Sequence, residues 1–98
     1  MPADTSWVGH RLDDVAGAKV GRIAAVIAAE DGSPRWLCAK LGRFGSSVAV
    51  PAGDAVEGAG CIWVPYAGDL IRAAPRIEDR TQLEPELDAA ARTHFGVG

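Results

Sequence analysis

Two cysteines and two histidines are the side chains of this sequence that most often bind transition metals: Cys38, Cys61, His10 and His94. No two of them are spaced as C-x-x-C or H-x-x-x-H, the local pairs from which most zinc sites are built. We therefore predict no metal site and no cofactor. In a reducing compartment both cysteines are expected to be buried thiols, although the sequence alone leaves a disulfide between them open.

The residues needed for nucleophilic catalysis or for phosphate loops do not occur in the required patterns. The Gly-Ser sequence at residues 45–48 lacks the second glycine of a G-x-S-x-G elbow, and His10 and His94 lie at opposite ends of the chain. Neither the glycines at 58 and 60 nor those at 42 and 45 continue into a dinucleotide-binding or P-loop motif. We predict that the chain is not an enzyme.

Two adjacent acids are a further candidate for a metal site, because paired carboxylates can bind Ca²⁺. Asp13 and Asp14 precede Gly17, and short acidic segments before a glycine are typical of turns. We interpret this pair as a solvated turn.

Several basic residues could form a nucleic-acid-binding surface. Lys40 and Arg43 flank Phe44, and together with Arg72 they would form the basic face of a ribosome- or RNA-associated factor. Three arginines share a helical i, i+4, i+8 spacing: Arg72, Arg76 and Arg80. Pro75 interrupts that helix, and the net charge of −3 does not favour a polyanion partner. Nucleic acid is therefore not the expected partner.

The elements that must position these residues are mainly strands. The chain has 98 residues, enough for one small domain with a single core. Apolar patterns bounded by Gly, Pro and Asp predict strands at residues 20–29, 35–41, 46–50 and 61–66. Residues 69–74 fit either a last strand or a turn of helix. Among the aromatic residues, Trp63 and Trp36 are predicted to lie in the core.

The last part of the chain has the periodicity of an amphipathic helix. Apolar residues recur at spacings of three and four: Leu83, Leu87, Ala90, Ala91 and Phe95. Pro85 fits the first turn of this helix and Gly96 fits its end. A helix of about eleven residues is marginal alone in water. Its apolar face of Leu87, Ala91 and Phe95 must therefore dock either on the sheet or on a partner chain.

Glycines and valine–proline pairs follow a fixed order from Val8 to Gly96. The order begins with Val8-Gly9 and Asp14-x-x-Gly17-x-x-x-Gly21-x-Ile23-x-x-Val26. It continues with Trp36-Leu37, Gly42-x-Phe44-Gly45, Val50-Pro51, Val64-Pro65-Tyr66, Ile71 and Ala74-Pro75, and it closes with Leu83, Leu87 and His94-Phe95-Gly96. This order resembles the PRC-barrel domain family, in the form of its short bacterial members.

The resemblance implies a mainly β fold: a small, strongly bent PRC-type β-barrel of about five or six strands with a C-terminal α-helix. Residues 1–80 would form the barrel domain with a short N-terminal lead, and residues 81–98 the helix and tail. The family's common role is adaptor work, mostly with proteins, and it supplies no catalytic residue to carry over. One group of members belongs to a ribosome maturation factor, which keeps the RNA alternative open.

We therefore expect a protein-interaction module whose partner is a second copy of itself. The predicted contact residues are Trp7, Arg43, Phe44, Leu87, Ala91 and Phe95. A small-ligand site inside the barrel is the remaining alternative. The longest uncharged stretch, residues 58–68, is too short to span a bilayer, and the N-terminus lacks the pattern of a signal peptide. A cytoplasmic location is expected.

Overall fold

The computed structural model describes residues 7–42, 46–77 and 84–97. Seven strands lie in these ranges: β1 Arg11–Asp13, β2 Lys19–Ala28, β3 Pro34–Lys40, β4 Ser47–Pro51, β5 Val56–Glu57, β6 Cys61–Trp63 and β7 Arg76–Ile77. Two helices complete the described part of the chain: α1 Gly68–Arg72 and α2 Pro85–Phe95. The strands form one sheet in the order β5-β6-β1-β2-β3-β4-β7, in which β1 and β6 are parallel and every other pair is antiparallel.

The mainly β fold with a C-terminal helix is confirmed, whereas a closed barrel is not shown. In the described residues β5 and β7 are the two ends of an open sheet. The strand count exceeds the expected number because both ends carry strands of only two residues. The ambiguous segment at 69–74 forms α1 rather than a strand.

Strand β2 is the longest strand and pairs with β1 on one side and β3 on the other. Two irregularities interrupt its pairing with β3, one between Ile23 and Ala25 and one between Ile27 and Ala28. Bulges of this kind increase the local bend and twist of a strand. They also explain why the sequence of β2 alternates so weakly, because each irregularity shifts the inward and outward positions by one residue.

The apolar side chains form two clusters, which β4 helps to separate. Val48 and Val50 belong to the larger cluster, whereas Ala49 between them belongs to the smaller one. Successive side chains of a strand point to opposite faces, so both faces of β4 are covered. The smaller cluster contains the fully buried Trp36, as the sequence predicts, together with Ala91 of α2.

Helix α2 packs on the sheet of its own chain. Of the two expected docking surfaces, the sheet and a partner chain, the structure shows the first. Ala91 and Phe95 are buried, and Leu87 is half-buried against the smaller cluster. Pro85 occupies the first turn, and Gly96 ends the helix in the left-handed conformation with φ 70°. The N–H of Val97 donates to the carbonyl of Arg92 at 3.0 Å, which closes the helix end as predicted for a glycine stop. Leu83 lies outside the described residues.

A polar cluster around Asp88 fixes α2 to β3. Its carboxylate accepts two hydrogen bonds from Arg35, from Nε and Nη2, at 3.1 Å each. It accepts a third from the indole Nε1 of Trp36 at 2.9 Å. Arg92, one turn later on α2, places its Nε 2.7 Å from the same carboxylate. One acidic side chain therefore joins two residues of β3 to the helix.

The charge state of Asp88 follows from these contacts. Partial burial acts to raise the pKa of the carboxyl, because it disfavours the charged form. The hydrogen bonds from Arg35 and Trp36 and the charges of Arg35 and Arg92 outweigh burial, so the pKa lies below its usual value. At neutral pH the carboxylate is therefore ionised and holds all three partners.

We expect Asp88→Asn to lower the free energy of unfolding by about 1–2 kcal/mol at neutral pH. Hydrogen bonds to a charged acceptor contribute more than neutral ones, but the partial exposure of both arginines weakens the ion pairs. Because the folded pKa is lowered, this stabilisation is complete above the ordinary carboxyl pKa of about 4 and is lost as the pH falls through the folded value. Urea denaturation at several pH values should show the difference between the two proteins shrinking in acid.

Asp69→Asn is the matched control. Asp69 is exposed, and its ion pair with Arg72 on α1 is long, at 3.7 Å. We expect it to change stability little. An equal loss in both variants, or a loss in Asp88→Asn that does not depend on pH, would contradict the role of Asp88.

Gly21 of β2 lies directly against the backbone at the end of β3. A Cβ atom at this position would overlap the backbone carbonyl oxygen of Lys40, which belongs to β3 and cannot move without shifting the strand. We expect Gly21→Ala to destabilise the fold by about 1–3 kcal/mol, the usual cost of overpacking a well-packed site. Thermal unfolding measures this loss.

Gly53→Ala is the corresponding control, because a Cβ at Gly53 meets no atom within 4 Å and its φ is not positive. This substitution should be neutral or slightly stabilising, since it only restricts the unfolded chain. If Gly21→Ala is equally well tolerated, the strands do not need the close approach.

Candidate functional site

The predicted contact residues do not form one surface in the described part of the chain. Ala91 and Phe95 are buried, and the ring of Phe95 packs 5.0 Å from that of Tyr66. Trp7 is half-buried against the larger apolar cluster. In this conformation Ala91 and Phe95 offer no surface to a partner, because the chain's own sheet covers them. Arg43 and Phe44 lie outside the described residues.

The acidic pair leads into a turn, since Asp13 ends β1 and Asp14 follows it, but the prediction that the pair is solvated is wrong. Asp13 and Asp14 are only 4% and 8% exposed. Oδ1 of Asp14 accepts hydrogen bonds from the backbone N–H groups of Ala16 and Ala18, both at 2.9 Å. Two different contacts accompany the burial: β6 runs parallel to β1 beside Asp13, and the Asp14 carboxylate lies against Gly68 at the start of α1. Sequence distance conceals both contacts.

The carboxylate of Asp13 is held by Arg11, two residues earlier on the same face of β1. Arg11 donates to Asp13 through Nε at 2.6 Å and through Nη2 at 2.8 Å. The hydrogen bond from Arg11 is the main reason that the pKa of Asp13 is lowered, and the charge of Arg11 adds to it. This pair is fully ionised at neutral pH and compensates its own charge.

Cys38 and Cys61 do not form a disulfide, and the prediction of buried thiols holds for Cys38, whereas Cys61 is only half-buried. Nε2 of His94 lies 2.7 Å from the backbone carbonyl oxygen of Leu70, to which the ring donates when this nitrogen carries the proton. Within residues 7–42, 46–77 and 84–97, no three His, Cys, Asp or Glu side chains cluster as metal ligands would.

An apolar patch lies at one end of the sheet, formed by Val15, Val56 and Trp63. Val56 and Trp63 are cross-strand partners on β5 and β6, and Val56 is 55% exposed. Trp63 Nε1 donates to the backbone carbonyl of Val15 at 3.3 Å, and Val15 is itself 50% exposed. These contacts make the three residues neighbours, and we call them together the edge patch.

The position of Trp63 differs from the sequence prediction, which placed it in the core. Trp63 is half-buried, while its neighbours Ile62 and Val64 are fully buried. Because side chains alternate along a strand, only one of these two sets can face the core. The alternation of Ile62 and Val64 was the signal that could have placed Trp63 on the outer face, and residue size misled the prediction.

A cationic depression of about 570 Å³ lies on the outer face of β2 and β3. Its described lining consists of Lys19, Gly21, Arg22, Lys40 and Gly42. Arg22 and Lys40 are directly opposed across the two strands. Sequence reasoning singled out only Lys40, because the pairing that joins it to Arg22 depends on the register of the sheet.

The proposed RNA face of Lys40, Arg43 and Arg72 is not assembled from one element. Lys40 ends β3, whereas Arg72 ends α1 and lies 3.7 Å from the carboxylate of Asp69. The predicted interruption at Pro75 is confirmed, since α1 ends at Arg72 and β7 begins at Arg76. Arg43 and Arg80 are outside the described residues.

A second depression, of about 360 Å³, lies between the β2–β3 hairpin, the end of β4 and the C-terminal end of α2. Arg35, Arg92 and Tyr66 are among its lining residues. Burial raises the pKa of the Tyr66 hydroxyl, and the charge of Asp54 adds to this effect. The small-ligand alternative placed its site inside a barrel, whereas this space opens at the surface.

Comparisons with known proteins provide no further assignment. No known family model matches the chain, and no curated protein matches it. As a separate structural finding, none of the helices in the described ranges is long and apolar enough to cross a membrane. Any assignment of function therefore rests on the residues and the geometry of this chain.

Proposed function

We propose that this chain is a non-catalytic protein-interaction module of the PRC-barrel type in the cytoplasm, and that its partner is a second copy bound at the edge patch. The observation that carries the proposal is the half-exposed Trp63 flanked by two exposed valines, Val15 and Val56. The resemblance in sequence and the mainly β fold with its C-terminal helix support the family.

The edge patch has the composition of a contact site. Tryptophan is enriched among residues that dominate binding energy, particularly where neighbouring groups exclude water from it. The indole N–H of Trp63 is already satisfied by Val15, so binding a partner over the ring leaves no polar atom without a hydrogen bond. Covering Val15, Val56 and the exposed part of Trp63 would remove apolar surface from water.

The backbone next to this patch also favours association. Strand β5 ends the sheet, so one of its sides carries no paired strand in the described part of the chain. Edge strands of this kind are templates for pairing with another chain. Because β5 has only two residues, backbone pairing alone is weak, and the apolar patch would have to supply most of the affinity.

A second copy fits this geometry through a two-fold axis. Pairing of two β5 strands centred on Val56 brings the two valines together and places the two Glu57 carboxylates on opposite sides of the axis. Two-fold interfaces use the same patch on both molecules, which a single apolar patch allows. The C-terminal helix is not required at this interface, since it already covers the second apolar cluster of its own chain.

Sedimentation equilibrium of the wild type, Val56→Lys and Thr93→Lys tests this proposal. We expect the wild type to dimerise at micromolar concentration and Val56→Lys to be monomeric, because a charge at the centre of an apolar interface must be desolvated. Thr93→Lys introduces the same charge at an exposed position on α2 and should behave as the wild type. Circular dichroism should show that both variants fold, because neither replaced side chain is buried.

A wild type that stays monomeric at high micromolar concentration would overturn the proposal. Equal dimerisation of Val56→Lys and the wild type would place the interface elsewhere on the molecule and overturn the assignment of the edge patch.

A further inference from the structure

Like charges are directly opposed on the outer face of β1, β2 and β3. Arg22 in β2 is the register partner of Arg11 in β1 and of Lys40 in β3. Like charges at opposed positions destabilise a sheet. The chain as a whole is acidic, with a net charge of −3, and its only two lysines, Lys19 and Lys40, both line the cationic depression. This concentration of positive charge is opposite to the overall charge of the molecule.

The neighbouring charges do not compensate the depression. Asp13 is the register partner of Lys19, but both oxygens of its carboxylate are engaged by Arg11. Arg22 Nη1 donates to the backbone carbonyl of Gly9 at 2.7 Å, which orients the guanidinium without neutralising it. No carboxylate occurs among the described residues that line the depression. Three positive charges therefore face the same space.

Two glycines are among the residues that line the depression. Gly21 is required by the close approach of β2 to β3, and Gly42 adopts a φ of +73°, which favours glycine. Neither residue has a side chain to fill the space between the cations. The result is an open depression of about 570 Å³ that is lined by two lysines and one arginine.

We propose that the cationic depression binds the phosphate group of a small phosphorylated ligand, a phosphomonoester or a diphosphate. Opposed side chains on neighbouring strands have Cβ atoms about 5 Å apart, and Lys19 is three residues from Arg22, about 10 Å along β2. Cations at these separations surround a single compact polyanion. Ammonium and guanidinium groups are the usual partners of phosphate oxygens.

A compact ligand fits the surroundings better than a nucleic-acid strand. The row of cations ends at Arg11, whose charge is compensated by Asp13, so it does not continue as a track across the sheet. Extended polyanion sites are typically basic over a whole face, whereas this chain is acidic overall. The site does not involve the edge patch, so this inference is independent of the proposed dimer.

Titration with inorganic pyrophosphate, followed by NMR chemical shifts and calorimetry, tests the site in the full chain at low salt. We expect saturable binding to the wild type, and weaker binding of inorganic phosphate because it carries less charge. Lys40→Gln and Lys19→Gln should each weaken pyrophosphate binding about tenfold or more, in line with the loss of a charge-assisted hydrogen bond. Arg72→Gln, which removes an exposed cation outside the depression, should bind as the wild type does.

Stability without ligand separates a lost site from a lost fold. Removing Lys40 also removes a repulsion with Arg22, so Lys40→Gln should unfold at the same temperature as the wild type or higher. Pyrophosphate should raise the unfolding temperature of the wild type and of Arg72→Gln, but raise that of Lys40→Gln much less.

The proposal fails if pyrophosphate does not bind saturably, or if Lys40→Gln and Arg72→Gln lose binding equally. It also fails if a single-stranded oligonucleotide with unphosphorylated ends binds while pyrophosphate does not. The last result would indicate that the cations contact a polymer backbone instead of one phosphate group.

Discussion

The docking of α2 on its own sheet is the interaction on which the rest of this structure depends. Strand β4 is buried on both faces, and only one of these faces is covered by the larger apolar cluster. Without α2, Trp36, Cys38 and Ala49 would be exposed to water on the other face. Asp88 ties the helix to this face through hydrogen bonds from Arg35 and Trp36. Because the helix is used in this way, Ala91 and Phe95 are not available to a partner.

The long separation between Asp88 and its partners explains why this cluster was not predicted. Sequence alone favours Asp88 for two local reasons: acids in the first turn complement the helix dipole, and Arg92 is one turn away. The hydrogen bonds from Arg35 and Trp36 join positions 53 and 52 residues apart. No periodicity within the helix indicates which strand it will contact. The same sequence did predict the apolar face of Leu87, Ala91 and Phe95, since that face depends only on spacing.

The strands, like the helix, were predictable where a local pattern marks them. Residues of β2, β3 and β4 were assigned correctly because each has an apolar pattern between clear turn signals. The two-residue strands β5 and β7 carry too little pattern to be recognised, although they end the sheet. The errors at Asp13, Asp14 and Trp63 all involve long-range contacts: β1 pairs with β6, and Asp14 lies against Gly68 at the start of α1. Contacts between the start and the middle of the chain bury the acids and leave the outward face of Trp63 partly open.

Strand β1 also separates the two surfaces to which we assign binding. Its outward residues, Arg11 and Asp13, lie between the edge patch and the cationic depression in the order of the sheet. Since their charges compensate each other, the positive potential of Lys19 and Lys40 is not continuous with the apolar surface around Trp63. Pairing of two copies through β5 would leave β2 and β3 on the other side of β1 from the interface in each copy. A dimer of this kind would therefore keep one cationic depression open in each subunit, so that neither surface requires the other to be occupied.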